Sequence, residues 1–325
     1  MEDTGSANVA WFEDIDLDDR ASVGGKGASL GELRRARIDV PPGFVVTTAA
    51  FRRFVRDGAL PPAVADEVAR GYARLCAEAG DDALPVAVRS SATAEDGAAA
   101  SFAGLQDTYL SVRGEAQVLG ALQRCWASLH GEAAVAYRSR LEVREDEAAM
   151  GVVVQRMVEP RSAGVMFTRS PLSGDPSVVC VSSNWGLGSS VVGGDVTPDE
   201  FVVNKITGLV VRSTISNKEI RHVLLESGSG TREEPNPPEL RTRASLETNE
   251  LRALTEIGTR VERHYGCAQD IEWAIDGGGA IFILQSRPET VWNARDREAA
   301  AKRALETPKA QPFEHVLSFF GPRKT

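Results

Sequence analysis

The sequence predicts an α+β or α/β protein built in two lobes. Short apolar runs alternate with longer segments whose apolar residues recur at helical spacing. The middle of the chain is rich in strand-like runs. With 325 residues, 42% of them hydrophobic and 26% charged, there is enough apolar surface for a large core and more than one lobe.

Residues 43–48 (GFVVTT) read as a strand, with a threonine capping a helix that carries Phe51, Phe54 and Val55. Residues 86–88 form a second short strand that runs into a Ser/Thr-rich loop. From 115 to 141, Val118, Leu122, Trp126, Leu129 and Val135 recur as on one helix face. Strands are expected at 152–154, 164–167, 178–181, 201–203 and 209–211. Residues 226–245, rich in Gly, Ser, Pro, Arg and Glu, read as an exposed loop. A helix follows over 247–265, ended by Gly266. Beyond Trp292 the chain is charged and then broken by Pro308, Pro312 and Pro322, which predicts a linker or docking tail. The expected division is 1–150 for the first lobe, 151–293 for the second and 294–325 for the tail, with no internal repeat.

A formal charge of -9 argues against a nucleic-acid surface, since backbone affinity needs clustered Lys and Arg. Cys76, Cys125, Cys180 and Cys267 are scattered without a CxxC pair, and read as reduced packing residues. The acidic start at Met1 to Thr4 has no apolar signal region, and no run of about eighteen apolar residues exists to span a membrane. The cytoplasm is the expected compartment.

Four motifs carry candidate chemistry. In VGGKGASL (23–30), glycines allow close approach of backbone to phosphate, a helix starting just after them offers free N–H groups, and Lys26 adds a charge. It is not a Walker A loop, because Arg20 stands where the first glycine is needed. By itself the motif reads better as a glycine turn with a solvated lysine. In VRSSATAED (88–96), followed by SFAGLQDT (101–108), a strand delivers Arg89 to a hydroxyl- and glycine-rich loop, where it can grip phosphate oxygens. The alternative is a surface arginine paired with Glu95 or Asp96. Gln155, Met157 and Val158 follow an apolar strand whose edge could hold a planar base, although such a run is more often plain core.

The fourth motif, QDIEWAIDGGGAIFILQSRP (269–288), reads as a hairpin with a glycine-rich turn. If residues 276–279 form a four-residue loop, Ile275 faces Ala280 and Asp270 faces Gln285. Alternation then puts Asp270, Glu272, Gln285 and Arg287 on one face. Their oxygens suit Mg²⁺ and the guanidinium suits phosphate, whereas a salt bridge between Glu272 and Arg287 is the structural alternative. A one-residue slip in register would scatter the group.

Together these segments, with VPPGFVVTTAAF, AGVMFT and NWGLGSSVVGGDVTPDEFVV, run in order over residues 20–292. They resemble the ATP-binding domain shared by phosphoenolpyruvate synthase, pyruvate phosphate dikinase and rifampicin phosphotransferase. The resemblance implies an ATP-grasp-like fold with the nucleotide between two lobes, and ATP and Mg²⁺ as cofactors. It implies phosphate contacts from Lys26, Arg89 and Arg287, Mg²⁺ ligation by Glu272 and Gln285, and adenine facing Gln155, Met157 and Val158. Ser101, Gly104, Gln106 and Thr108 join the nucleotide site, and Asp270 is a weaker member. One departure is Ser189, which follows Gly188 where the family usually has glutamate; Glu200 nearby is a candidate substitute.

Family members pyrophosphorylate a histidine on a separate swivelling domain, and no matching histidine segment occurs in this chain. His130, His222, His264 and His315 lie in ordinary contexts. The foremost expectation is therefore an ATP-binding subunit of a split phosphotransferase, similar to the two-component aryl phosphate synthases. A separate histidine-bearing subunit would be its partner and a phenol or cresol the acceptor. Residues 316–320 (VLSFF) would be the docking patch. The alternatives are an excised domain of a fused phosphoenolpyruvate synthase or rifampicin phosphotransferase, and a non-catalytic ATP sensor.

Overall fold

The computed structural model describes residues 7–93, 108–129, 149–225 and 228–306. Residues Met1–Glu289 and Thr290–Thr325 form separate units. The first unit mixes helices with two large antiparallel sheets, which meets the α+β expectation.

The first sheet has the order β1 (Val9–Trp11), β2 (Gly43–Val46), β5 (Met150–Arg156), β3 (Val86–Ala92), β4 (Thr108–Val112). Its strands alternate between two cores. Phe44, Val46, Val86, Val88, Val152 and Val154 pack with α2 (Thr48–Asp57), α3 (Pro62–Ala79) and α4 (Glu115–Ser128), through residues such as Phe51, Val68 and Trp126. Val45 and Val153 face the other way, onto α1 (Arg20–Arg35). Thr47 caps α2 by accepting from the Ala50 amide, as its sequence predicts. Helix α3 went unread in the sequence, although Pro62 at its first turn and Val64, Val68, Tyr72 and Leu75 at helical spacing mark it.

The second sheet runs β13 (Ile281–Pro288), β12 (Gln269–Asp276), β6 (Pro160–Phe167), β7 (Val178–Trp185), β8 (Asp199–Asn204), β9 (Val210–Thr214). Met166, Val181, Phe201, Ile271, Trp273 and Ile283 share a core with Leu30 and Leu33 of α1 and with Leu254 and Val261 of α7 (Thr248–Tyr265). Helix α1 therefore contributes to the packing of both sheets. Glu247 and Glu250 form a capping box at the start of α7, and Gly266 at φ 68° ends it where the sequence placed the stop. On the sheet's opposite face lies a small separate cluster of Val158, Ala163 and Ala274 with Phe282 and Leu284 against it.

One expectation is corrected. Much of the supposed loop at 226–245 is ordered. β10 (Ile220–Leu224) pairs with β11 (Thr231–Pro235), and α6 (Pro238–Arg241) follows a short way on. An Arg221–Glu234 ion pair couples the two strands, so charge rather than apolar alternation helps hold them together. The segment expected as a tail from 294 onward belongs to the second unit, which carries helix α8 (Val291–Glu306). Residues 307–325, including the apolar 316–320 run, lie outside the described residues, as do 130–148 with His130 and Val135. No helix among the described residues is long and apolar enough to cross a membrane. All four cysteines are free thiols, and Cys76 and Cys125 are buried packing residues.

Candidate functional site

A cavity of about 410 Å³ lies where residues of the two sheets approach one another. The first sheet supplies Ala87, Arg89, Thr108, Leu110 and Gln155, and the second supplies Ala163, Gly164, Glu272, Ala274 and Leu284. The chain passes from one sheet to the other through Met157 and Val158, which also line the cavity. The remaining wall carries Leu187, Gly188 and Ser189, then Val192 at the end of the short helix α5 (Ser189–Val192).

Arg89 gathers the polar groups. Its Nη2 donates to Gln285 Oε1 at 2.6 Å and to Glu272 Oε2 at 3.1 Å, and its Nη1 donates to the Leu284 carbonyl at 3.2 Å. These acceptors all belong to the second sheet, so one guanidinium joins the two sheets. Arg89 Nε is buried and without a partner among the described residues. A buried donor left unmade is costly, and a bound anion would satisfy it.

The hairpin that carries the acceptors folds differently from its sequence-derived register. Ile275 pairs with Ile281 rather than Ala280, one residue out. The ladder shifts again between Glu272 and Trp273, leaving Asp270 opposite Arg287 and Glu272 opposite Gln285. The first slip alone would send Gln285 to the core face. The second is a β-bulge that uses Leu284 as the extra residue and returns Gln285 and Arg287 to the cavity side. Ile283 thus lies in the main core, while Leu284 and Gln285 both serve the cavity cluster. The alternative of a Glu272–Arg287 pair is not what the structure has, since Glu272 pairs with Arg89. Arg287 instead donates to Asp270 Oδ2 from Nε at 2.9 Å and Nη2 at 2.8 Å.

Burial pushes the Asp270 carboxyl above the ordinary carboxylate value. Arg287 pulls the other way, and nearby Glu272 and Glu289 add to the rise. A cation arriving beside these carboxylates would relieve both costs. Glu272 and Gln285 fit such a role, since both turn their oxygens toward one positive group. No cluster of three or more His, Cys, Asp or Glu side chains able to hold a metal occurs among the described residues. That count fits Mg²⁺, which takes one or two protein oxygens and completes its shell with phosphate and water.

Lys26 donates from Nζ to the Ser90 carbonyl at 3.0 Å, next to Arg89 on β3, but is not among the cavity's lining residues. A helical segment starts anew just after Gly24, in line with a helix beginning at the glycines. Helix α1 starts at Arg20 and breaks at Gly24, where φ is 75° and ψ 175°. A Cβ there would lie 1.9 Å from the Ser91 carbonyl oxygen, and the Gly27 amide donates to Ser91 Oγ at 3.1 Å. These glycines therefore bring α1 hard against β3, which positions Lys26 and Arg89 together. Ser29 of α1 donates to the Ser286 carbonyl at 2.7 Å, which ties the same helix to the strand bearing Gln285 and Arg287.

At the edge expected to face a base, the amides of Arg156 and Met157 already donate to the Pro42 and Pro85 carbonyls. The side-chain amide of buried Gln155 donates to the Pro41 carbonyl at 3.4 Å. Met157 and Val158 remain as apolar wall. Thr108, opposite Arg89 in the sheet register, also lines the cavity. Ser101, Gly104 and Gln106, with the candidate Arg89 partners Glu95 and Asp96, lie outside the described residues.

Ser189 does line the cavity, and its Oγ lies 2.9 Å from His222 Nδ1. Sequence reasoning passed over His222, a lone histidine in a polar strand with no pattern to mark it. Glu200 is exposed and absent from the cavity lining, so it does not stand in for the family glutamate.

The family model described as "Pyruvate phosphate dikinase, AMP/ATP-binding domain" matches residues 20–60 and 55–307. A probable phosphoenolpyruvate synthase of Methanothermobacter thermautotrophicus is 40% identical over 90% of this chain and 48% of its own length. The phosphoenolpyruvate synthase of Aeropyrum pernix is 37% identical over 95% of this chain and 45% of its own. The chain thus spans less than half the length of these relatives. Among solved structures, the ADP complex of N5-carboxyaminoimidazole ribonucleotide synthetase is similar with a TM-score of 0.37 and 11% identity, over 82% of this chain and 45% of that one.

Proposed function

The chain belongs to the pyruvate phosphate dikinase AMP/ATP-binding domain family, whose domains take ATP with Mg²⁺, and from that premise we propose that it is the nucleotide-binding part of a phosphoenolpyruvate synthase-type phosphotransferase. In this reading the two sheets act as the two lobes of an ATP-grasp-like site, with ATP in the cavity between them. The observation that carries it is the convergence of Glu272 and Gln285 on Arg89, whose buried Nε has no partner among the described residues.

Each group has a role that its surroundings support. Arg89 and Arg287 hold phosphate oxygens and offset charge on the transferring group, and Lys26 of α1, bonded to the Ser90 carbonyl beside Arg89, adds a third cation. Glu272 and Gln285 would hold Mg²⁺, which would supply positive charge to offset that of the phosphates. Met157, Val158 and Ala274 cover the base. Arg89 bonds Glu272 and Gln285 through Nη2, and its Nε is left to donate to phosphate.

The phosphoryl acceptor is a histidine carried elsewhere. His222 is bonded to Ser189, and His264 lies 2.6 Å from Glu32 on the far side of α1 from Lys26's strand contacts. Neither lines the cavity. The relatives favour an acceptor domain of the fused phosphoenolpyruvate synthase kind over a separate aryl phosphate synthase subunit.

The test supplies Mg-ATP to the full chain with a histidine-bearing domain, then with pyruvate or phenol as final acceptor. AMP and phosphate should form once per histidine with the histidine-bearing domain alone and turn over repeatedly only when a final acceptor is also present, with pyruvate the better acceptor. A preference for phenol would transfer the proposal to the aryl phosphate synthase arrangement. ADP as the sole product would overturn dikinase chemistry, and tight binding without any turnover would favour a sensor.

A further inference from the structure

We infer that Ser189 and His222 form a hydroxyl–imidazole pair that reads the sugar hydroxyls of the bound nucleotide. The inference rests on the nucleotide reading of the cavity and names a specificity determinant within it.

The position follows from strand register. Along β12 and β6, Glu272 lies opposite Val165, Trp273 opposite Gly164, Ala274 opposite Ala163 and Asp276 opposite Pro160. Gly188 sits over Ala163 and Gly164, whose Cβ and amide nitrogen lie 3.6 and 3.5 Å from where a Gly188 side chain would begin. Gly188 therefore stands about one same-face step, roughly 7 Å along the strand, from Glu272 toward Met157 and Val158, and Ser189, next in the chain, lines the same cavity as Glu272. A nucleotide with its phosphates at Arg89 and Glu272 and its base at Met157 and Val158 puts its sugar beside Ser189.

The hydrogen-bonding sense follows from the groups behind Ser189. His222 Nε2 faces Asp195 Oδ2 at 3.8 Å, which favours the proton on Nε2. His222 Nδ1 then accepts, and the Ser189 hydroxyl donates to it at 2.9 Å. With its proton committed, Ser189 Oγ presents lone pairs to the cavity and accepts from a sugar O–H. The imidazole is held in place by its backbone. Gly186 bridges to His222, and the Leu187 amide donates to the His222 carbonyl at 2.8 Å. The pair thus offers an acceptor by orientation, where a carboxylate would offer one by charge.

The test is calorimetric titration of the full chain with ATP, 2′-deoxy-ATP and 3′-deoxy-ATP, each with Mg²⁺, in wild type, Ser189→Ala, His222→Ala and the double variant. Wild type should bind ATP about ten-fold more tightly than the more affected deoxy analogue, the worth of one such hydrogen bond. Ser189→Ala should lose that preference through weaker ATP binding while its affinity for that analogue is unchanged. His222→Ala should weaken ATP part-way, and the double variant should match Ser189→Ala rather than sum the two. Unchanged thermal unfolding without nucleotide verifies that the variants fold. Equal wild-type affinity for all three nucleotides, or an equal loss for all three in Ser189→Ala, would overturn the pair's role. A wild type that binds none of them would instead overturn the nucleotide reading on which it stands.

Discussion

Two charged clusters share the six-stranded sheet, and their differences separate structure from function. On β8, Asp199 and Lys218 are both fully buried and bonded at 2.6 Å. The Asp199 carboxylate is further saturated by the Ser216 amide at 3.0 Å and by the Ser245 amide and hydroxyl, each at 2.8 Å. On β12 and β13, Glu272 is 28% exposed, its partner Arg89 is 11% exposed, and Arg89 Nε is buried without a partner among the described residues. The first cluster has its acceptors filled and joins β8 to the segments before β10 and α7. The second is incomplete and opens on a cavity. Similar residue types are a clamp where every bond is made and a binding site where some are left over.

That contrast is broken most severely at the clamp. Asp199→Ala leaves Lys218 charged in a dry environment and should cost about 3–5 kcal/mol in denaturant unfolding. Asp199→Asn with Lys218→Met should recover part of that loss, because removing both charges is less harmful than stranding one. If the single variant were nearly neutral, the clamp would be no more structural than the site.

At the site the pattern should invert. Arg89→Met should lower phosphoryl transfer about 10²–10³-fold, the usual size for a donor aimed at developing charge, as read in single-turnover assays. Its unfolding midpoint should move far less than that of Asp199→Ala. Glu272→Gln should stay within about 1 kcal/mol of wild type in stability, in the range of a partly exposed ion pair.

Asp270 gives the smallest effect and a pH signature. Its folded pKa is raised, chiefly by burial, so its contribution to stability is fully present below the ordinary carboxylate pKa and lost as pH rises through the raised value. Wild type should therefore lose stability relative to Asp270→Asn as pH climbs through that window. A flat difference between the two curves would show that Arg287 cancels the cost of burial.

Much of this was legible in the sequence. The strand at 43–46 with its Thr47 cap, the helix closed by Gly266, and the membership of Arg89, Glu272 and Gln285 in one site could be read from period, caps and motif order. The register of the hairpin could not. In Ile281-Phe282-Ile283-Leu284 every residue is apolar, so nothing marks Leu284 as the extra residue of a bulge. Two offsets of one residue happened to preserve the face that a simple turn predicted. The glycines near Lys26 are a related case: glycine signals close approach, and at Gly24 the approaching group is Ser91 of β3, which no local pattern names. His222 and Ser189 are brought together by the bridge at Gly186, a long-range contact without any local pattern.

The most direct test of the central claim is calorimetry of ATP with Mg²⁺ and with chelator, on wild type, Arg89→Met and Glu272→Gln. Wild type should bind Mg-ATP at least about ten-fold more tightly than metal-free ATP, the worth of one good charged contact. Glu272→Gln should erase that gain, and Arg89→Met should weaken both forms. Contradiction would come from wild type and Glu272→Gln binding Mg-ATP alike, because Glu272 would then be a partner of Arg89 and nothing more.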